Sequence, residues 1–299
     1  MKYHHIITFI IVTTSLIAKS SYPGLHIFTS SNDLSLGGSG LLYGSSISSK
    51  INPGVNFTDK IISTSLTKYP AQITSENIGV GFPFKKGSGS ISIFHVTYGT
   101  FQGYNELAEK TSNYTSQDLS LRGSYSKLAK KLPLRFGFST QLLRSSLSKL
   151  ENYYISFSIG SIFILSKDNL KLGFSVHNLG KQLNDNFDMD NEVELAFSIL
   201  KKLNYLPLQV FVDFSNKRES SSTEIFIGGC LSPKETIKIN FGTSTRKLTQ
   251  NTKQSLGKSI LGNTGFGFSY KLSNAIINYG SFFYNNGVLI HSLGLEIPF

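Results

Sequence analysis

Over much of its length the chain alternates, residue by residue, between apolar and small or polar side chains, and nothing else in it restricts the fold so tightly. The last hairpin, from Gly265 to Phe299, is the clearest case. Phe266, Phe268 and Tyr270 fall on one side of an extended segment, and Gly265, Gly267 and Ser269 on the other. In the final stretch Leu289, His291, Leu293, Leu295, Ile297 and Phe299 share a face, opposite Ile290, Ser292, Gly294 and Glu296. A period of two over this length predicts strands with two chemically different sides.

From Thr58 onward similar segments are expected near Ile61 to Tyr69, Glu76 to Phe84, Ser88 to Gly99, Tyr114 to Lys127, Pro133 to Ser145, Asn152 to Leu165 and Leu170 to Leu179. They continue near Glu192 to Lys201, Leu206 to Phe214, Thr223 to Leu231, Thr236 to Thr243, Gly265 to Leu272, Ala275 to Tyr284 and Val288 to Phe299. That makes about fourteen, an even number of the size found in single-chain bacterial barrels. Proline agrees, because it cannot donate to a ladder: Pro70, Pro83, Pro133, Pro207, Pro233 and Pro298 all lie at or near segment ends.

The chain opens with MKYHH, an apolar run from Ile6 to Ala18, and then Lys19 and Ser20. The run is shorter than the about 20 residues a spanning helix needs and fits a signal peptide cleaved after Ser20. Loss of Lys2 and Lys19 lowers the net charge from +11 to +9. With mean hydropathy at −0.04 and no internal run of helical length, the only membrane-embedded option is a β-barrel, whose lipid face uses every second residue. The expected fold class is therefore all-β, a transmembrane antiparallel barrel in the bacterial outer membrane, with residues 58–299 forming the wall. Ending a strand on Phe299 resembles the signal that barrel-assembly machinery reads in such proteins. The single Cys230 excludes an intramolecular disulfide.

Loop lengths offer a separate test, since outer-membrane barrels alternate short periplasmic turns with longer outer loops. FKKGSGS, KLAKKLP, SKDN, KKLNYLP, SPKET and LSN are compact, whereas FQGYNELAEKTSN, GKQLNDNFDMDN, SNKRESSS and the stretch after Ser244 are longer; the first and last outer links are expected to be short. A soluble sandwich has no reason to segregate its loops in this way. In the wall, Leu119, Leu121, Gly123 and Tyr125 oppose Ser120, Arg122 and Ser124, and Ile237, Ile239 and Phe241 oppose Lys238, Asn240 and Gly242; the second set of each pair is expected to face the lumen. Ser161 to Leu165 and Gln209 to Phe214 are apolar on both faces, which predicts a narrow interior filled in part by apolar or aromatic side chains rather than a wide aqueous pore.

Lys217, Arg218, Arg246 and Lys247, with Lys253 and Lys258, crowd two outer loops and are candidate contacts for lipopolysaccharide phosphates or an acidic partner. A solvated lysine-rich surface is the plainer reading. Asp185, Asp188, Asp190, Glu192 and Glu194 lack the glycine and terminal glutamate spacing of a calcium loop, so no metal is expected. No nucleic-acid module and no cofactor motif is visible. Nor is an enzyme expected: His291 and Ser292 point to opposite faces, His95 and Thr97 lack a carboxylate, and His177 sits beside Asn178 at a strand end.

After the leader, Asn32, Leu34, Gly37, Gly38, Asn52 and Pro53 form a pattern that resembles the opening of the PorV/PorQ family, relatives of the FadL-type transport barrels. Ser45 to Lys50 stands where that family carries Asp-Ala-Ser-Ala. SVHNLGKQL (Ser175 to Leu183), FQGYNEL (Phe101 to Leu107) and a closing set of Tyr279, Gly280, Gly287, His291, Gly294 and Phe299 are similar to later family motifs. The resemblance implies that residues 21–57 fold inward as a plug, with Gly37, Gly38, Asn52 and Pro53 making its turns against the wall. It also implies a role in type IX secretion, shuttling or attaching secreted cargo together with other components of that system. Two alternatives stand beside it: a FadL-like channel for hydrophobic small molecules, and a structural or adhesive barrel.

Overall fold

A computed structural model of the chain describes residues 28–48, 50–184, 186, 193–218, 222–249, 261–284 and 288–299. The expected leader over 1–20, Asp185, Asp188, Asp190, Glu192, Lys253, Lys258 and Gly287 lie outside the described residues. Fourteen strands form one closed antiparallel barrel. They are β1 (Ile61–Lys68), β2 (Thr74–Phe84), β3 (Gly87–Phe101), β4 (Tyr114–Leu128), β5 (Leu134–Leu147), β6 (Leu150–Leu165) and β7 (Leu170–Gln182), then β8 (Glu194–Lys202), β9 (Leu208–Lys217), β10 (Ser222–Lys234), β11 (Ile237–Ser244), β12 (Thr264–Lys271), β13 (Ile276–Phe283) and β14 (Leu289–Pro298). Each strand pairs with its neighbours in sequence, and the cylinder closes by β1 against β14, from Ile61 opposite Pro298 to Lys68 opposite His291.

The strands match the expected alternating segments one to one. The ends that differ most are those of β7, β9 and β10, which run on to Gln182, Lys217 and Lys234. Near the rim both faces become polar, as in Gly180-Lys181-Gln182, so the hydrophobic period stops while the backbone ladder continues. The short links 85–86, 129–133, 166–169, 203–207, 235–236 and 272–275 all lie at one end. The opposite end carries 102–113, 183–193 and 245–263, but its third link is only Ser148 and Lys149, tighter than expected because β5 and β6 extend to Leu147 and Leu150. Ser148 turns the corner at φ 57°.

Side-chain alternation gives the wall its two environments. On β4, Leu119 and Leu121 are 42% and 49% exposed, whereas Ser120 and Arg122 are buried. On β11, Ile239 and Phe241 point outward and Asn240 and Gly242 inward, as expected. Ile78, Ile93, Phe138, Phe157, Phe174, Phe197, Ile227, Phe266 and Leu293 continue the apolar outer belt on other strands, a surface that suits hydrocarbon and not water. The inward face is largely serine, asparagine and glycine, such as Ser63, Asn77, Ser90, Ser139, Ser175 and Asn278, with buried apolar side chains gathered into clusters. In one, Ile162, Leu200, Phe211 and Cys230 pack against Leu36 and Leu42 of the N-terminal segment; in another, Phe282 and Ile290 pack against Leu34 and Phe28. The strands that looked apolar on both faces, β6 and β9, line the first of these, because their inward residues meet chain instead of solvent.

Replacing Leu121 by arginine places a charge on the lipid face near the middle of β4 and is expected to cost about 2–4 kcal/mol of stability. Equilibrium unfolding in lipid vesicles, compared with the parent protein, measures it.

Candidate functional site

Residues 28–57 show no sustained period, and they form irregular chain with a single helix, α1 (Ser31–Ser35). The Ser30 hydroxyl caps it, accepting a hydrogen bond from the Asp33 amide at 3.0 Å. The helix ends at Gly37 and Gly38, with φ of 61° and 88°. At Gly37 the left-handed backbone and the space both require glycine, since a Cβ there would sit 2.8 Å from the carbonyl carbon and oxygen of Gly242 in β11.

This segment lies against the inward faces of strands all round the barrel. Its backbone rests on wall glycines: the Pro53 carbonyl on Gly137, that of Leu36 on Gly242, that of Leu34 on Gly265 and that of Ser31 on Gly280. The Asn52 side-chain oxygen occupies the space that a Cβ of Gly160 would fill. A methyl group at any of these positions collides with main chain or with the buried amide. The glycines on the inner face are therefore the seat of the segment.

Polar wall residues fasten it. Arg122 Nη1 donates to the Ser48 carbonyl at 2.7 Å and Nη2 to that of Ile51 at 3.3 Å. The Asn52 amide donates to the carbonyls of Phe174 at 3.1 Å and Ser161 at 3.3 Å, across the β6–β7 ladder, while its oxygen accepts from the Gly54 amide at 2.8 Å. Asp213 accepts from the Gly40 amide at 2.6 Å. Ser126 donates to the Val55 carbonyl at 2.8 Å, and Ser88 accepts from the Phe57 amide at 3.1 Å. Lys50 pairs with Glu194 at 3.4 Å, and Glu194 also accepts from Ser215 at 2.6 Å. The buried carbonyls of an irregular segment must find donors, and these side chains supply them.

Asp33 is the ionisable group on α1. Burial raises its carboxyl above the ordinary value of 3.8, and hydrogen bonds from Ser48 at 2.7 Å and Thr29 at 3.2 Å offset part of that. The packed segment therefore prefers the protonated acid.

Beside the segment, toward the short turns, an open pocket of about 450 Å³ is lined by Leu42, Tyr43, Ile164, Leu165, Leu170 and Leu200, with Ser166, Asn169, Lys171, Lys202 and Gln209 completing it. Phe28, Leu41, Ile51, Phe226, Lys50 and Arg246 surround a smaller space of about 40 Å³.

The residues singled out from sequence are not gathered into one place. Gly37, Asn52 and Pro53 make the wall contacts described above, and Gly38 lies against the Phe226 ring of β10. Arg246, expected to reach outward to phosphates, instead turns over the lumen mouth. Its guanidinium is bonded to both oxygens of Glu224, each at 2.7 Å, and stands 5.8 Å from the centre of the Phe226 ring. A neighbouring carboxylate on β10 captures it through the paired geometry that arginine favours. Lys217 lies opposite Glu194 in the β8–β9 ladder, Arg218 donates its amide to the Val193 carbonyl at 3.1 Å, and Lys247 sits in a 3₁₀ turn with Arg246. Phe299 stands at the seam, its amide bonded to the Lys60 carbonyl at 3.0 Å. Sequence reading missed that Ser175 and His177 meet at 2.9 Å on one inward face opposite Glu194. Ser175 is fully buried, however, and Glu194 is already engaged by Lys50 and Ser215. It also missed Arg122 and Asp213 as anchors; their signal was a charge at an inward position of a strand.

Arg122→Met leaves the Ser48 and Ile51 carbonyls without donors, a loss of about 1.5–3 kcal/mol per charged hydrogen bond. Amide hydrogen exchange over residues 30–55 should accelerate while the strands stay protected. Gly242→Val should do the same by occupying the seat of Leu36. For Asp33 the sign follows from its raised value: its contribution to docking is complete below about pH 4 and is lost as the pH rises through the window above. Thermal stability of the parent protein relative to Asp33→Asn should accordingly decline from about pH 4 toward neutrality.

No protein-family model matches the sequence, and no curated protein matches it. Solved structures do. The toluene transporter TodX of P. putida is similar over 94% of this chain and 99% of its own, with 11% identity and a TM-score of 0.55. A FadL homologue from Pseudomonas aeruginosa is similar over the same shares, with 11% identity and a TM-score of 0.56. At that identity the likeness concerns the fold, and the fold is that of the outer-membrane β-barrels.

Proposed function

We propose that the protein is an outer-membrane channel for hydrophobic small molecules, in which residues 28–57 must shift to let a molecule pass. The observation that carries this reading is the recess between Leu42 and the β6–β8 wall, whose apolar side is made by Leu42, Ile164, Leu165, Leu170 and Leu200 and which the segment itself bounds. A general diffusion pore has no use for an apolar-sided recess beside a fastened segment. The likeness to a toluene transporter and to a FadL homologue supports the same choice. The type IX secretion role suggested by the PorV/PorQ-like motifs has no such support, and the opening motif, Gly37, Gly38, Asn52 and Pro53, lies where the segment meets the wall, a contact a channel needs equally.

Ser46 of the segment and Ser63 of β1 have hydroxyls 3.2 Å apart, so cysteines at these positions would face each other across the contact. The double variant Ser46→Cys/Ser63→Cys is expected to take up a fluorescent apolar probe at least tenfold more slowly when oxidised and to recover on reduction. Equal uptake in both states, with the cross-link verified by mass, overturns the proposal. Loss of secreted proteins in a deletion strain with unchanged probe uptake favours the secretion role instead.

A further inference from the structure

The short-turn end carries charge in a pattern that transport does not require. The ion pairs seen among the described residues, Lys50 with Glu194, Arg144 with Glu151 and Arg246 with Glu224, lie toward the long loops. At the short-turn end no ion pair forms among the described residues, and every position around the circle carries lysine. Lys60 stands at the β1–β14 seam, and Lys86, Lys131, Lys167, Lys201, Lys234 and Lys271 lie in or beside the six turns in order. All but Lys201 are exposed. The acidic residues on the outside of this rim are Asp59, Asp168 and Glu235.

The depth of this ring is marked by aromatic side chains. Phe84, Tyr125 and Phe138 form a ladder on the outer face, with ring centres 6.0 and 6.1 Å apart, close to the short turns. Phe299 is 65% exposed, and the Lys60 ammonium stands 5.9 Å from its ring centre. Aromatic girdles sit where hydrocarbon gives way to headgroups, so the ammonium groups just beyond them lie at the level of lipid phosphates.

We propose that this ring is a binding surface for the headgroups of anionic phospholipids in the leaflet facing the short turns. Ammonium groups attract anionic lipid through charge, with no need for a shaped pocket. The continuity of the ring identifies the occupant. A protein docking from one side would meet only one arc, whereas a leaflet surrounds the whole cylinder and meets every turn. The inference rests on the outer-membrane setting of the barrel and not on what crosses its lumen, so the cross-linking result above leaves it unaffected.

Thermal unfolding is to be followed in phosphatidylcholine vesicles with and without phosphatidylglycerol of the same chain length. The parent protein is expected to unfold several degrees higher when phosphatidylglycerol is present, with the difference shrinking as salt is added. In a variant combining K60E, K86E, K131E, K167E, K234E and K271E the difference should vanish. Equal unfolding temperatures at low salt overturn the proposal, as does a difference that survives in the variant or is indifferent to salt. Should the variant fail to insert, the salt titration of the parent protein decides alone.

Discussion

A chain in hydrocarbon has no water with which to pair its amides and carbonyls, and each one left open costs several kcal/mol; the structure depends on meeting that demand. Here it is met by a ladder that returns on itself, with β1 paired to β14 along its entire length. Once the ring is closed, no strand edge remains, and every other feature becomes a matter of what each face of the wall touches. Outward, alternate residues are apolar. Inward, the requirement changes, because what the wall meets there is another part of the same chain.

That inner contact explains a composition that would otherwise look wasteful. A cylinder of fourteen strands is too wide to be filled by its own side chains. Large inward residues would leave no room for the segment that fills it, so the wall offers glycine where main chain approaches and serine, asparagine, arginine or aspartate where a carbonyl or amide needs a partner. Apolar packing joins in around Leu42 and Phe211 and again around Leu34 and Phe282, and beside the first of these a recess of about 450 Å³ opens. Polar fastening combined with this apolar packing leaves a segment firmly placed yet bordered by space with an apolar side.

Much of the fold was legible because a period of two reports directly on a wall with two different faces. Leu119 and Leu121 against Ser120 and Arg122 read the same way in sequence and in space. Legibility ended where the alternation did, at the polar rims that carry β7 to Gln182 and close β5 onto β6 across Ser148 and Lys149. The interior was legible in outline: stretches apolar on both faces pointed to apolar and aromatic filling, and Phe211 and Phe282 do pack against the segment, while the alternation of the other strands against serine marked the polar remainder of the lumen. The seat itself could be suspected from Gly37 and Gly38, but not its partners, since which glycine of the wall faces which carbonyl depends on register and tilt. Arg246 was misread because a loop residue is placed by its nearest carboxylate, and Glu224 is distant in sequence.

The position of the inner segment also bears on how the molecule is made. Residues 28–57 touch strands from both halves of the ring, from β1 and β2 through β5 and β6 to β11 and β13. Their full set of contacts exists only when nearly all the hairpins are present, so the seat of the strap is completed only as the first strand zips to the last.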